Sequence, residues 1–198
     1  MAVSSTMLPL GTDAPDFHLP DVTTQRSYSL ADFRDNDALL VIFLCAHCPY
    51  VVHVRPELVR LARDYQGKSV AFVAITANDA RQYPEDAPGP TAEMARSAGF
   101  TFPALYDETQ EVAKAYTAAC TPDFFLFDRD RKLVYRGQLD DSRPGRGEAR
   151  AGHGQLNGHD IRAALDALLT GGRVSLDQKP SIGCNIKWKP GNEPPYFG

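Results

Sequence analysis

The stretch that decides the fold reads Ala38-Leu39-Leu40-Val41-Ile42-Phe43-Leu44-Cys45-Ala46-His47-Cys48-Pro49. Its first seven residues are all apolar, which is typical of a central strand covered on both faces of a sheet. After Pro49, apolar residues recur at helical spacing as far as Tyr65. The sequence therefore predicts a buried strand, a short turn that carries two cysteines, and a helix beginning at Pro49 and kinked at Pro56.

Further elements are predicted on both sides of this stretch. An edge strand precedes it at residues 13–20, and a second central strand follows at residues 69–77, then a loop at 78–90. The remaining predicted elements are a helix at 91–98, a short strand at 104–106, a helix at 108–116, a hairpin of 124–127 with 132–136, a mobile surface loop at 140–158 and a helix at 159–169.

This order predicts an α/β fold with a mixed central sheet flanked by helices, because a parallel β-α-β half is joined to an antiparallel hairpin. The N-terminal edge strand is an extension of that core. We expect one domain at residues 1–172 and an irregular C-terminal tail at 173–198, packed on the domain or on a partner.

The composition of the chain limits the kinds of molecule that it is expected to bind. The chain has 198 residues, 43% of them hydrophobic, and a formal net charge of −4, which suits a globular domain and argues against nucleic-acid or anionic-membrane partners. The N-terminal residues lack the pattern of a targeting segment. The longest apolar run is too short to cross a bilayer, so we expect a cytoplasmic protein.

The chain has four cysteines, Cys45, Cys48, Cys120 and Cys184. They are consistent with structural disulfides, a metal site or redox chemistry. A chain without a secretory signal usually keeps its thiols reduced, which disfavours structural disulfides. A metal site lacks a second C-x-x-C or H-x-x-x-H motif, so we expect neither a metal nor another cofactor. The residues that such a metal site would draw on are Cys45, His47, Cys48, Cys120, His153 and His159.

Cys48 is the predicted nucleophile. A thiol attacks only as the thiolate, so a reactive cysteine needs a pKa below the usual value of about 8.5. Because Pro49 favours the first helical position, Cys48 becomes the N-cap, where unpaired backbone N–H groups and the helix dipole stabilise an anion. His47 could add positive charge or shuttle a proton.

The cysteine that pairs with Cys48 is left open. Cys45 could form a disulfide across the turn, or could be a small buried residue of the strand. Thr121-Pro122 is expected to be a cis peptide that shapes the wall beside the thiol, which would place Cys120 close to Cys48 as a resolving cysteine or as a packing residue. Cys184 would resolve Cys48 only if the tail folds back over it.

The chain resembles the thioredoxin superfamily, and in particular its peroxiredoxin-like redoxin branch. Residues 10–19 resemble the redoxin start motif, and residues 41–48 align without gaps onto the strand and turn that end at the attacking cysteine of thioredoxins. Residues 121–128 match the cis-proline segment and its following strand. Residues 180–189 resemble the ending of an uncharacterised peroxiredoxin-like subgroup. The resemblance implies a thioredoxin fold with Cys48 as the attacking thiol.

The chain also departs from both family patterns. Val51 stands where thioredoxins have their second cysteine, and Ile42 occupies the place of their buried acid. In the peroxiredoxin pattern, Val41 replaces the proline, Cys45 the threonine that orients peroxide, and Pro122 the arginine. Loss of that threonine and arginine removes electrostatic stabilisation of the departing oxygen and puts fast peroxidase activity in doubt.

The sequence therefore predicts a thiol-disulfide oxidoreductase of cell redox homeostasis, in which Cys48 attacks and Cys45 or Cys120 resolves. Its expected partners are a protein or small-molecule disulfide or peroxide and a thiol reductant such as a thioredoxin, and it could form a homodimer. One alternative is an antioxidant thiol peroxidase, in which Cys48 passes through a sulfenic acid. Another is a non-catalytic interaction module, which a Cys48 pKa near about 8.5 would favour.

Overall fold

The computed structural model describes residues 2–145 and 154–197. Its helices are α1 (Pro49–Asp64), α2 (Pro88–Ala98), α3 (Glu111–Ala115) and α4 (His159–Leu169), and short 3-10 turns lie at Leu30–Phe33 and Pro84–Asp86. The strands are β1 (Ala2–Ser4), β2 (His18–Pro20), β3 (Ser27–Ser29), β4 (Ala38–Phe43), β5 (Val70–Thr76), β6 (Ala104–Tyr106), β7 (Cys120–Thr121), β8 (Asp123–Phe127), β9 (Leu133–Gly137) and β10 (Ile182–Asn185).

The main sheet has five strands in the order β6-β5-β4-β8-β9. The strands β4, β5 and β6 run parallel, whereas β8 pairs with β4, and β9 with β8, in the antiparallel sense. This arrangement confirms the predicted α/β fold with a mixed central sheet. The run of apolar residues in β4 is explained by its central position, since all six of its residues are buried.

Each face of the sheet supports its own hydrophobic core, because side chains of a strand alternate between the two faces. Leu40 and Ile42 of β4 pack with apolar residues of α1 and α4. Leu39, Val41 and Phe43 face the other way, into a cluster that also holds apolar residues of α3 and of the C-terminal tail. Cys45 and Cys48 of the turn after β4 belong to the first of these cores.

Two predicted helices have different starts in the structure. The helix predicted from residue 91 begins at Pro88, because a proline is well tolerated in the first turn, where backbone N–H groups have no helical partner. It ends as predicted at Gly99, which has a φ of 77°. The helix predicted from residue 108 is confined to Glu111–Ala115, and the Asp107 carboxylate accepts a hydrogen bond from the Ala113 N–H at 2.8 Å.

The expectation of an irregular tail is wrong for residues Ile182–Asn185. They form β10, which pairs antiparallel with β1 on one side and with β7 on the other. Farther along, Trp188 is buried in the second core. The tail is therefore tied to both the N-terminus and the segment before Pro122, whereas the domain boundary at residue 172 stays a prediction.

The predicted loop at 140–158 falls partly outside the described residues, which omit 146–153. Its described ends are not simply solvated, because Asp140 is only 2% exposed. The Asp140 carboxylate accepts hydrogen bonds from the backbone N–H groups of Ser142, Asn157 and Gly158 at 2.6–3.0 Å. None of the helices within the described ranges is long and apolar enough to span a membrane.

Candidate active site

Cys48 occupies the position predicted for it. It is the N-cap of α1 in an extended conformation, and Pro49 follows as the first helical residue. Its sulfur lies 3.1 Å from the backbone carbonyl oxygen of Thr121, to which the thiol form donates. Cys48 is 0% exposed, so the sulfur is packed between the start of α1 and the segment that ends β7.

Two other thiols affect the pKa of Cys48. The Cys45 thiol has the largest effect and favours the Cys48 thiolate, and the Cys184 thiol and the Val51 backbone N–H act in the same direction. Burial opposes ionisation, but these donors outweigh it and lower the pKa of Cys48 to about 4. Cys48 is therefore a thiolate at neutral pH, as a nucleophilic cysteine must be.

Cys45 keeps its proton under the same conditions. Its pKa is raised, first by the hydrogen bond that it gives to Cys48, then by burial and by the negative charge of Asp86. The Cys45 sulfur also lies 3.4 Å from the side-chain oxygen of Thr121. Cys45 is thus both a buried strand-end residue and a thiol in contact with Cys48, so it can serve as the resolving cysteine.

Cys184 reaches the site through strand pairing. Its Cα lies opposite that of Thr121 in the β10–β7 pair. Gly183 makes this approach possible, because a Cβ atom at that residue would lie 2.1 Å from the Thr121 carbonyl oxygen. Burial, followed by the hydrogen bond to Cys48, raises the pKa of Cys184 to about 11.

Cys120, a predicted resolving residue, is placed differently. The Thr121–Pro122 peptide is cis, as predicted. The Cys120 thiol donates to the carbonyl oxygen of Pro122 at 3.6 Å and is not among the hydrogen-bond donors of Cys48. Burial raises the pKa of Cys120 well above its ordinary value. Of the thiols in the chain, the structure brings Cys45 and Cys184, rather than Cys120, to the nucleophile.

His47 is paired with an acid that the sequence did not single out. Its Nδ1 lies 2.6 Å from an Asp86 carboxylate oxygen, and its ring stacks on Tyr83 with centroids 6.0 Å apart. Asp86 is 0% exposed and accepts hydrogen bonds from the Ala46 N–H at 2.9 Å and the Asn78 amide at 2.7 Å. No spacing pattern links an acid in a proline-rich loop to a cysteine turn, so sequence reasoning had no signal for Asp86.

The same residues are the nearest approach to a metal site within the described ranges. One donor atom each from Cys45, His47 and Asp86 lies within 4.8 Å of the others. Both Asp86 oxygens already accept hydrogen bonds, one from the Ala46 N–H and the other from the Asn78 amide. Cys120 and His159, which the sequence considered as ligands, are not in this group, and His153 lies outside the described residues.

A small cavity of about 20 Å³ lies beside the site. Pro122 and Ile182 line it near Cys48, and Tyr50 and His53 line it from α1. His53 lies with its Nε2 2.9 Å from the Ser142 hydroxyl, and burial lowers the pKa of His53. The cavity therefore offers a surface next to the cis-proline that combines apolar residues with the charged side chains of Asp140 and Arg143.

A second buried acid lies directly after the cis-proline. Asp123 is 0% exposed, and burial raises the pKa of its carboxyl to about 8. One carboxyl oxygen lies 3.3 Å from the Ala119 N–H, and the other has no hydrogen-bond partner among the described residues. The sequence placed Ile42 at the usual position of a buried acid, whereas Asp123 stands at the head of the neighbouring strand, opposite Phe43.

The fold and site together define a class. A mixed sheet with helices on its faces, a cysteine at the N-cap of the helix after the central strand, and a cis-proline against its sulfur are the features of thioredoxin-like thiol proteins. The redoxin family model matches residues 9–152. The chain therefore belongs to the redoxin family.

Relatives agree with this assignment. The thiol-disulfide oxidoreductase ResA of Geobacillus thermodenitrificans is 28% identical over 128 residues, which cover 65% of this chain and 68% of that protein. Two crystal structures superpose with a TM-score of 0.89. An uncharacterised conserved protein from Geobacillus kaustophilus is 58% identical, covering 96% of this chain and 97% of its own. A hypothetical protein from Sinorhizobium meliloti 1021 is 49% identical, covering 95% and 99%.

Proposed function

We propose that this redoxin is a thiol-disulfide oxidoreductase in which Cys48 attacks and Cys45 resolves. The observation that carries the proposal is the Cys48 sulfur at the N-cap of α1, with the Cys45 and Cys48 sulfurs both within hydrogen-bond distance of Thr121. The similarity to proteins named thiol-disulfide oxidoreductase ResA supports the same activity. A Cys48 pKa of about 4 also argues against the non-catalytic alternative.

The chemistry follows from the unequal pKa values of the two thiols. The Cys48 thiolate attacks one sulfur of a substrate disulfide, and the other sulfur leaves as a thiolate that is then protonated. Cys45 next loses its proton and attacks the Cys48 sulfur of the mixed disulfide, which releases the second substrate thiol. The substrate disulfide is reduced by two electrons, and a Cys45–Cys48 disulfide is formed. A thiol reductant returns it to two thiols.

His47 is the group placed to take the proton of Cys45. Its ring nitrogen lies within 4.8 Å of the Cys45 sulfur, a gap that one water or a small side-chain movement spans. The buried carboxylate of Asp86, 2.6 Å from Nδ1, fixes the position of the imidazole. His47 and Asp86 together take the role of the buried acid that Ile42 replaces. His47 can accept the proton of Cys45, the less acidic of the two thiols.

The test compares three variants in the reduction of a protein disulfide such as that of insulin. Cys48→Ser is expected to abolish turnover, because no other thiol in the site is ionised at neutral pH. Cys45→Ser should still attack but accumulate a mixed disulfide, which mass spectrometry detects. Val52→Ser changes an exposed residue of the same helix and should retain the wild-type rate. Full activity of Cys48→Ser would refute the proposal.

A thiol peroxidase is the second candidate, and one observation favours it. Cys48 is 0% exposed, which admits a small oxidant more readily than a folded protein. The positions that orient peroxide in peroxiredoxins are nevertheless taken by Cys45 and Pro122. Stopped-flow measurement with hydrogen peroxide separates the two functions, since a rate no faster than that of free cysteine removes the peroxidase.

The physiological setting belongs to this proposal as well. We expect a disulfide substrate and a thiol reductant such as a thioredoxin, in keeping with the reaction above. An antioxidant role, a homodimer and a cytoplasmic location stay predictions from the sequence.

A further inference from the structure

The proposed reaction does not explain how a partner reduces the buried disulfide between Cys45 and Cys48. Cys48 is 0% exposed and Cys45 only 1%. A disulfide between them would give an attacking thiol outside the protein little sulfur surface to reach, so its reduction would be slow unless a more exposed thiol of the chain exchanged with it. Of the four cysteines, Cys184 is the one that is partly exposed.

Cys184 also lies next to the nucleophile. It pairs with Thr121, whose carbonyl oxygen lies 3.1 Å from the Cys48 sulfur, and it packs against the apolar cluster that holds Cys45 and Cys48. Cys48 therefore lies between two other thiols. Cys45, just after β4, is buried, and Cys184, on β10, is partly exposed. All three are free thiols in the structure.

The position of Cys184 is fixed by the backbone rather than by the chance orientation of a side chain. Antiparallel pairing places it opposite Thr121 on one side and opposite Ala2 on the other. Gly183 lets β10 lie against the Thr121–Pro122 peptide more closely than a side chain would allow. A strand held on both edges keeps the third thiol beside Cys48.

We propose that Cys184 is a third redox thiol that carries disulfide exchange between the buried Cys45–Cys48 pair and a dithiol partner at the surface. This inference rests on the proposed function, since it needs Cys48 to form disulfides.

The exchange is balanced within the three cysteines. The Cys184 thiol loses its proton and attacks the Cys48 sulfur of the Cys45–Cys48 disulfide. Cys45 leaves as a thiolate and is protonated by His47, so Cys45 is reduced, Cys184 is oxidised and no electrons leave the protein. The disulfide has now moved to Cys48–Cys184, where one sulfur reaches solvent.

The partner then completes reduction. One thiolate of the dithiol attacks the accessible Cys184 sulfur, and Cys48 leaves as a thiolate. The second thiol of the partner attacks its own sulfur in the mixed disulfide, which releases Cys184 and forms the partner's disulfide. The pKa of about 4 makes Cys48 a good leaving group, because thiols of low pKa depart faster in exchange.

Disulfide mapping tests the pairing. The reduced protein is oxidised with one equivalent of diamide, alkylated in acid and digested without reduction. Cys45→Ser is expected to give a Cys48–Cys184 crosslink, and Cys184→Ser a Cys45–Cys48 disulfide. A Cys45→Ser protein that instead joins Cys48 to Cys120, or to a second chain, would overturn the proposal.

Reduction kinetics test the role. The oxidised proteins are mixed with dithiothreitol, and the return of thiols is followed by quenching and alkylation. Oxidised Cys184→Ser should be reduced at least about tenfold more slowly than wild type, because both sulfurs of its disulfide are buried. Leu176→Ser changes an exposed residue of the same tail, away from the cavity beside Cys48, and is expected to match wild type. Reduction of Cys184→Ser at the wild-type rate would refute the relay.

A second variant guards against a folding artefact. Cys184→Ala is measured in parallel, and circular dichroism establishes that both variants keep the native fold. Slow reduction in both folded variants supports the relay. If Cys48→Ser is inactive while both Cys184 variants are reduced normally, the relay fails and the proposed function stands.

Discussion

The sulfur of Cys48 carries its negative charge without contact with water. Hydrogen bonding from Cys45, Cys184 and the backbone N–H of Val51 lowers the pKa of Cys48. A bare anion in that position would be costly, since burial favours the neutral form. The low pKa of Cys48 is therefore a property of the cluster of thiols, and it should change when one of them is removed.

Replacing Cys45 with alanine tests this dependence. The thiolate absorbance of wild type in the ultraviolet is expected to persist as pH falls and to disappear near pH 4, where Cys48 is protonated. Cys45→Ala removes the largest stabilising contact and should raise that midpoint by about one to two pH units, the worth of a hydrogen bond to a charged group. Cys120→Ala serves as the control, because Cys120 donates to Pro122 instead. An unchanged midpoint in Cys45→Ala would contradict the assignment.

Asp123 makes the folded protein less stable as pH rises. Its pKa is raised from 3.8 in the unfolded chain to about 8 in the folded protein. Between these values the folded state holds a proton that the unfolded state has lost, so the free energy of unfolding falls as pH rises.

The isosteric variant Asp123→Asn removes that dependence. Relative to wild type, it should gain stability as pH rises from about 4 to about 8, by up to about 1.4 kcal/mol per pH unit. Urea unfolding at several pH values measures the difference. Asp177→Asn alters an exposed carboxyl and should track wild type. A constant difference between Asp123→Asn and wild type across this range would show that Asp123 is ionised when buried.

Among the elements, α1 and β10 contribute to the site in different ways. Pro49 sets the start of α1 through a local preference, so the sequence alone placed Cys48 at the N-cap. β10 depends on pairing with segments far away in the chain, and its four residues show no periodicity that would predict a strand. The tail was therefore expected to be irregular, although Gly183 and Cys184 belong to the site.

Gly183→Ala should loosen this strand. The added Cβ would lie 2.1 Å from a backbone oxygen, so β10 has to move, and overpacking of this kind costs about 1–3 kcal/mol. The variant should also let iodoacetamide alkylate Cys48 faster than in wild type. Gly89→Ala is the matched control, because its Cβ would meet nothing within 4 Å in α2, and alanine there should stabilise by about 0.5–1 kcal/mol. Equal stability of Gly183→Ala and wild type would contradict the close approach.

At the scale of the whole molecule, the two cores differ in how much of each could be predicted from the sequence. The run Leu39 to Phe43 and the helical spacing of α1 predicted the first core and the sheet, because both patterns are local. The second core also contains Trp188 of the tail, and a separate three-stranded sheet joins β1, β10 and β7. Asp86 and Asp123 reach their places through the same long-range folding, which explains why no motif revealed their burial.

Trp188 should therefore be a large contributor to global stability. It is 7% exposed and packs edge-on against Tyr196, with ring centroids 6.4 Å apart. Trp188→Ala is expected to lower the free energy of unfolding by about 3–5 kcal/mol. Leu176→Ala removes an apolar side chain of the same tail that is 82% exposed, and should change stability by less than about 0.5 kcal/mol. Similar values for the two variants would show that the tail does not belong to the core.

The covering of Cys48 by β10 has a consequence for the newly made chain. A ribosome completes α1 long before it reaches Ile182–Asn185, and domains begin to fold from their N-terminal part during synthesis. Throughout that interval the attacking sulfur lacks the strand that later shields it. The nascent protein therefore passes through a period in which cellular oxidants and foreign thiols meet an open cysteine, and this vulnerability ends when the last strand docks.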